Sequence, residues 1–151
     1  MKGTATIMIN RPIEKVFSFI TDVQNNDRWV DGASETKLIS EESVGIGSIF
    51  EGNYMYSGKT HEIGYEVVNF SPPYQFGVKS TYGPFPFENL LDLKDVDGQT
   101  AITNNINAGS DHILTSITFI LLKPLLRRQM NKQMKKELDN LKTILESELD
   151  S

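Results

Sequence analysis

The chain has 151 residues, with 15 Lys and Arg against 20 Asp and Glu, two His and no Cys, for a formal net charge of −5. A hydrophobic share of 38% and a charged share of 23% are ordinary for a folded globular chain, which excludes a disordered or collagen-like protein. The lack of cysteine excludes a disulfide scaffold, thiolate metal sites, cysteine nucleophiles and redox pairs.

The length suits one domain spanning 1–151, since globular units cluster near ~100–150 residues. The opening MKGTATIMIN alternates apolar and polar side chains and has no long apolar run, unlike an export signal. The longest apolar stretch, 113–126, is broken by Thr115, Ser116, Thr118, Lys123 and Pro124. A bilayer-spanning helix needs ~20 apolar residues. The expectation is a soluble cytoplasmic protein without stable membrane insertion.

Residues 3–10 alternate as a strand, with Ala5, Ile7 and Ile9 on one side. Asn10-Arg11-Pro12 stops it, and Pro suits a first helical turn. Ile13, Val16, Phe17 and Ile20 recur at i, i+3, i+4 and i+7, one face of a short amphipathic helix. Trp29 and Val30 suggest a second short helix. Strands are predicted over 37–41, 48–56, 59–70, 74–82, 85–94 and 99–108, joined mostly by tight turns. Asp97-Gly98 is a strong hairpin signal. Short connections favour an antiparallel meander.

The tail reads as a long helix that Pro124 should begin or kink. Leu126, Met130, Met134, Leu138, Leu141, Leu145 and Leu149 form one apolar stripe. Residues 110–123 read as a preceding helical segment. Residues 123–151 carry seven basic and five acidic side chains, against eight and fifteen in the rest. The basic run over 123–136 reads first as a solvated helix face, and the acidic remainder argues against a nucleic-acid partner.

Gly45-Ile46-Gly47 lacks the third Gly of a dinucleotide loop, since position 50 is Phe, and a strand follows it. It reads as a turn. His61 and His112 have no partner at a metal-binding spacing, so no metal is expected. His61 reads as a surface group and His112 as part of a capping turn. No Ser sits in a Gly-x-Ser-x-Gly elbow.

Strand parity groups the aromatic residues. Phe50, Tyr54 and Tyr56 share a face, as do Tyr65 with Val67, and Phe76 with Val78. Phe87, Asn89, Leu91 and Leu93 share another, and Ile102, Asn104 and Ile106 a further one. Parity alone does not separate a packed core from a pocket wall.

The order of elements resembles the START-like, or helix-grip (SRPBCC), superfamily, and more narrowly its polyketide cyclase/dehydrase and lipid-transport-like group. The carrying residues run through the chain. Ile9-Asn10-Arg11-Pro12-Ile13-Glu14-Lys15-Val16-Phe17 matches the opening strand, Pro and helix, and Asp22 and Trp29 the Asp and Trp that follow. Val44-Gly45-Ile46-Gly47-Ser48 matches a Gly-x-Gly strand entry. Val67 before Ser71-Pro72-Pro73 matches a strand ending in Pro, and Asp97-Gly98-Gln99-Thr100 resembles a Gly-Thr hairpin with one inserted residue. Leu138, Leu141, Lys142, Leu145 and Glu146 match the closing helix.

The resemblance implies an α+β fold: a curved antiparallel sheet of about seven strands wrapped around a long C-terminal helix, with two short helices after the first strand. It turns the aromatic faces inward, around a largely apolar cavity. The implied function is binding or carriage of a hydrophobic small molecule, such as a lipid, isoprenoid or aromatic polyketide. Tyr54, Tyr56, Tyr65, Asn89 and Asn104 are its expected polar anchors, and Phe50, Phe76, Phe87, Met130 and Met134 its walls. Gly83-Pro84-Phe85-Pro86 is the expected mouth loop. The alternatives are a metal-free cyclase or dehydratase using the same cavity, or a module that binds a protein or an anionic membrane surface. No cofactor is implied, and the state is a monomer or a homodimer.

Overall fold

The computed structural model describes residues 1–40, 43–109 and 117–148, with side chains from 121 onward in the last segment. β1 (Lys2–Ile9) leads into α1 (Ile13–Thr21), a 3-10 turn (Val23–Asn25) and the single-turn α2 (Asn26–Trp29). Six strands follow: β2 (Ala33–Leu38), β3 (Ile49–Tyr56), β4 (Lys59–Ser71), β5 (Gln75–Tyr82), β6 (Phe87–Val96) and β7 (Gln99–Ala108). The last element is α3 (Ile117–Ser147).

The sheet order is β1-β7-β6-β5-β4-β3-β2, with antiparallel neighbours throughout. β2 to β7 form a meander, and β1 closes beside β7 with Ile7 opposite Ile102. At the β6–β7 turn Asp97 (φ 53°) and Gly98 (φ 88°) are both left-handed. That is the turn whose twist matches its flanking strands.

Two features bend the sheet. β4 shifts register between Gly64 and Tyr65, and again between Val67 and Asn69. Such bulges increase local twist and curl the strand. β2 shifts between Ser34 and Lys37, with Glu35 at φ 54°. This break in alternation explains why the sequence pattern places the start of β2 at residue 37, although the strand starts at Ala33.

The concave face holds the core. Ile9, Val16, Phe50, Val67 and Ile102 are fully buried there, together with Leu138 and Leu141 of α3. Burying a side chain of that size is worth roughly 1.5–3 kcal/mol. The expected stripe on α3 is buried from Met134 to Leu145, and Leu126 and Met130 are half-buried. Leu149 and His112 lie outside the described residues.

Pro124 does not begin α3. The helix starts at Ile117 and includes Pro124, so 117–123 belong to it, and 110–116 lie outside the described residues. The hydrogen bond that Pro forgoes falls where Leu121, Leu122 and Leu125 are exposed, so water can serve the freed carbonyl.

The far end of α3 is held by the β1–α1 corner. The Arg11 guanidinium donates to the carbonyls of Glu146 at 2.7 Å and Glu148 at 3.2 Å. Cations placed there satisfy orphaned C-terminal carbonyls and complement the helix dipole. The backbone N–H of Asn10 donates to Glu146 at 2.9 Å, and Lys142 donates to the Met8 carbonyl at 2.8 Å.

Candidate functional site

Between the concave sheet and α3 lies a cavity of about 160 Å³, lined mainly by apolar side chains of β3 to β7, α1, α2 and α3. One water requires about 10–15 Å³, so this space is far larger than a packing defect. Its size follows from the fold: the bulged sheet arches away from α3, and the helix fills only the end where Leu138, Leu141 and Leu145 stand.

Eight of the ten residues singled out from the sequence line the cavity: Phe50, Tyr54, Tyr65, Phe76, Phe87, Asn89, Asn104 and Met134. Two do not. Tyr56 shares the parity of Tyr54 but sits at the end of β3, exposed, with its ring 5.0 Å from Phe85 and 6.2 Å from His61. Met130 lies over β1, where a Cβ on Gly3 would come within 2.7 Å of its Cε. His61 is half-buried, faces Tyr54 in the strand ladder and does not line the cavity.

The two asparagines and Tyr65 of the wall have partners within the protein. The Asn89 amide donates to Asn104 Oδ1, and also to the Asn105 carbonyl at 3.3 Å. One hydrogen bond thus links the two amides across β6 and β7, giving the Asn89 N–H and the Asn104 oxygen a partner. The Tyr65 hydroxyl takes a long 3.5 Å bond from Asn26 Nδ2. Burial pushes its phenol well above the usual tyrosine range. Tyr54 has no hydrogen-bond partner among the described residues; burial, then the charges of Glu137 and Asp31, raise it.

The loop expected at the mouth contributes Pro84 and Phe85 to the wall. Phe85 joins the rings in a row, 6.4 Å from Tyr54 and 6.1 Å from Phe87. Its position is fixed from both sides: Ser80 Oγ accepts from the Phe87 N–H at 2.9 Å, and the Pro86 carbonyl accepts from the Gly109 N–H at 2.9 Å.

Sequence reasoning missed Glu137 and treated Trp29 only as bulk. Glu137 lines the cavity from α3. Its Oε2 accepts from the Asp31 backbone N–H at 3.1 Å and from Gln133 Nε2 at 3.3 Å. Burial pushes this carboxyl up to about 7, against the opposing pull of those two bonds. Asp31 beside it is held below the ordinary carboxylate range by Lys136 and Gln133. Trp29 is buried, and its indole N–H has no hydrogen-bond partner among the described residues. The spacing of Glu137 on α3 carried no signal, because it flanks the apolar stripe where a solvated residue is normal.

Among the described residues no group of three His, Cys, Asp or Glu side chains is placed to hold a metal. No helix there is long and apolar enough to cross a membrane.

A curved antiparallel sheet gripping a C-terminal helix over an apolar cavity defines the helix-grip class of fold. The chain belongs to the polyketide cyclase/dehydrase and lipid transport family, whose model matches residues 1–146. No curated protein matches it in sequence. Among solved structures it is similar to a START superfamily protein from Mycobacterium smegmatis, at 11% identity and TM-score 0.78, covering 96% of this chain and 97% of that one. It is also similar to the protein TTHA0849 from Thermus thermophilus, at 16% identity and TM-score 0.77, covering 98% and 100%. The Zhui aromatase/cyclase from a Streptomyces species matches at 11% identity and TM-score 0.71, covering 97% and 93%. At these identities the likeness is one of fold.

Proposed function

We propose that this protein binds a hydrophobic small molecule in the cavity between sheet and α3, and carries or presents it. The observation that carries this reading is the cavity itself: about 160 Å³ enclosed chiefly by aromatic and aliphatic side chains. Removing apolar ligand surface from water yields roughly 25 cal/mol per Å², so a guest that fills the space needs few polar contacts. A lipid, an isoprenoid or an aromatic polyketide fits that chemistry.

The test is a titration with N-phenyl-1-naphthylamine, a neutral dye that brightens in apolar surroundings. Saturable brightening is expected for the wild type. Ala33→Phe, which places a ring in the cavity, should weaken it at least about tenfold, by direct competition for space. A dye that fails to bind, together with no thermal shift across lipids, isoprenoids and aromatic polyketides, would remove this reading.

The cyclase or dehydratase reading uses the same space and is favoured by one observation, a carboxyl in the wall that titrates near neutrality. That is the property wanted of a general acid or base. Turnover of a poly-β-keto thioester, lost in Glu137→Gln with the fold intact, would establish it.

A further inference from the structure

The wall of the cavity is unbalanced in charge. Among its described residues Glu137 is the one carboxylate, and no Lys, Arg or His stands with it. The cation next to it in sequence, Lys136, is bound to Asp31 instead. Facing Glu137 from the α2–β2 connection is Asp31, a second acid, and from β3 the Tyr54 phenol, whose ionisation the Glu137 charge opposes. Gln133 on its own helix is neutral. Only Oε2 of Glu137 is engaged; Oε1 has no hydrogen-bond partner among the described residues.

Aromatic rings begin beside this carboxylate. Tyr54 lies within reach of its charge, Phe85 follows at 6.4 Å and Phe87 at a further 6.1 Å. Trp29 stands two residues before Asp31, with its backbone carbonyl tied to Asn140 of α3 at 3.3 Å. Ring faces carry negative charge density and attract cations, most strongly where water is excluded. Glu137 is half-buried, and the charge of Lys136, engaged with Asp31, offsets its loss of hydration only in part; a carboxylate so placed is relieved by a proton or by a cation.

Resting on the cavity reading above, we infer that the guest carries a protonated amine, paired with Glu137 and faced by the adjoining aromatic rings. A neutral alcohol satisfies Oε1 but leaves the charge unpaired. A carboxylate guest meets two acids and is disfavoured. Fatty acids are thereby excluded, and a hydrophobic amine is selected.

The pH dependence follows from the same group. The empty site holds Glu137 largely protonated below pH 7 and largely ionised above it, since burial sets its carboxyl at about 7. An amine guest, cationic throughout, pairs with the ionised form and expels the proton.

Three matched probes test this: 2-(1-naphthyl)ethylamine, 2-(1-naphthyl)ethanol and 1-naphthylacetate, titrated calorimetrically into the whole protein. The amine should bind at least about tenfold tighter than the carboxylate at about pH 8, and its affinity should rise about tenfold from pH 6 to pH 8, as the ionised fraction grows from roughly a tenth to roughly nine tenths. Glu137→Gln should remove the amine preference and the pH slope, while the alcohol keeps its affinity within about twofold. If that variant does not fold, the wild type alone decides: titration near pH 7 in buffers of different ionisation enthalpy should show about half a proton released with the amine and none with the alcohol. An alcohol that binds as tightly as the amine at pH 8, or amine binding without proton release, overturns the assignment and leaves the cavity reading standing. Failure of all three probes overturns both.

Discussion

The last three turns of α3 and its stretch over 121–125 meet opposite surroundings. Leu138, Leu141 and Leu145 are buried to within 2% of full burial, and the carbonyls beyond them are capped by Arg11. Leu121, Leu122 and Leu125 are exposed by 75%, 45% and 53%. One helix thus has a fixed end and an exposed stretch, and the described residues it contributes to the cavity, Met134 and Glu137, lie at the crossover between them. The arrangement separates the residues that hold the fold from those that line the cavity. The clamp that holds the helix in the sheet lies outside the cavity wall, so the space can stay open at little cost to the fold.

The contrast breaks most clearly when each end loses a leucine. Leu141→Ala should lower the unfolding free energy by about 3–4 kcal/mol, as expected for a large-to-small change in a closed core. Leu125→Ala should change it by no more than about 0.5 kcal/mol. Urea denaturation of the two variants measures both. Equal losses would mean that the exposed stretch is as firmly packed as the fixed end.

The cap is the next largest effect. Arg11→Met retains the stem but leaves two helix-end carbonyls without their charged donor, and should cost about 1.5–3 kcal/mol. Hydrogen exchange should then quicken in the last turn of α3 before it does in β7. Uniform quickening would show that Arg11 acts on the whole fold.

A smaller effect than the cap's sits at the crossover and depends on pH. Glu137 titrates at about 7 when folded, against an ordinary value of 4.5. A raised carboxyl contributes stability that is fully present below its unfolded value and is lost as pH rises through the folded one. The wild type should therefore weaken between about pH 5 and pH 8, and Glu137→Gln should not. The difference should reach about 1–2 kcal/mol at pH 8, after allowance for the partial exposure of the side chain. Parallel thermal melts across that range check it, and parallel curves would place the carboxyl in water.

The fold was legible because each of its devices is local. Alternation in 99–108 marks β7, Asp97-Gly98 sets the hairpin, and the leucines of α3 repeat at helical spacing. Legibility ended where three-dimensional context replaced pattern. The bulge at Glu35 hides the first residues of β2. Parity carries Tyr56 to the correct side of β3, but it is the last residue of that strand and is exposed. Asn89 and Asn104 read as groups awaiting a guest, yet they stand on neighbouring strands and Asn89 donates to Asn104. Glu137 was invisible for the opposite reason. Its environment is made by the Asp31 backbone, more than a hundred residues earlier in the chain, and no spacing rule on a single helix encodes that approach.

Trp29 has a practical consequence. It is the chain's single tryptophan, and it stands in the cavity wall with an indole N–H that no group among the described residues accepts. Its emission is therefore a native optical gauge of occupancy. A guest that offers an acceptor to that N–H should shift the spectrum to the red, and one that only stacks on the ring should change the intensity alone, so loading can be followed without any label.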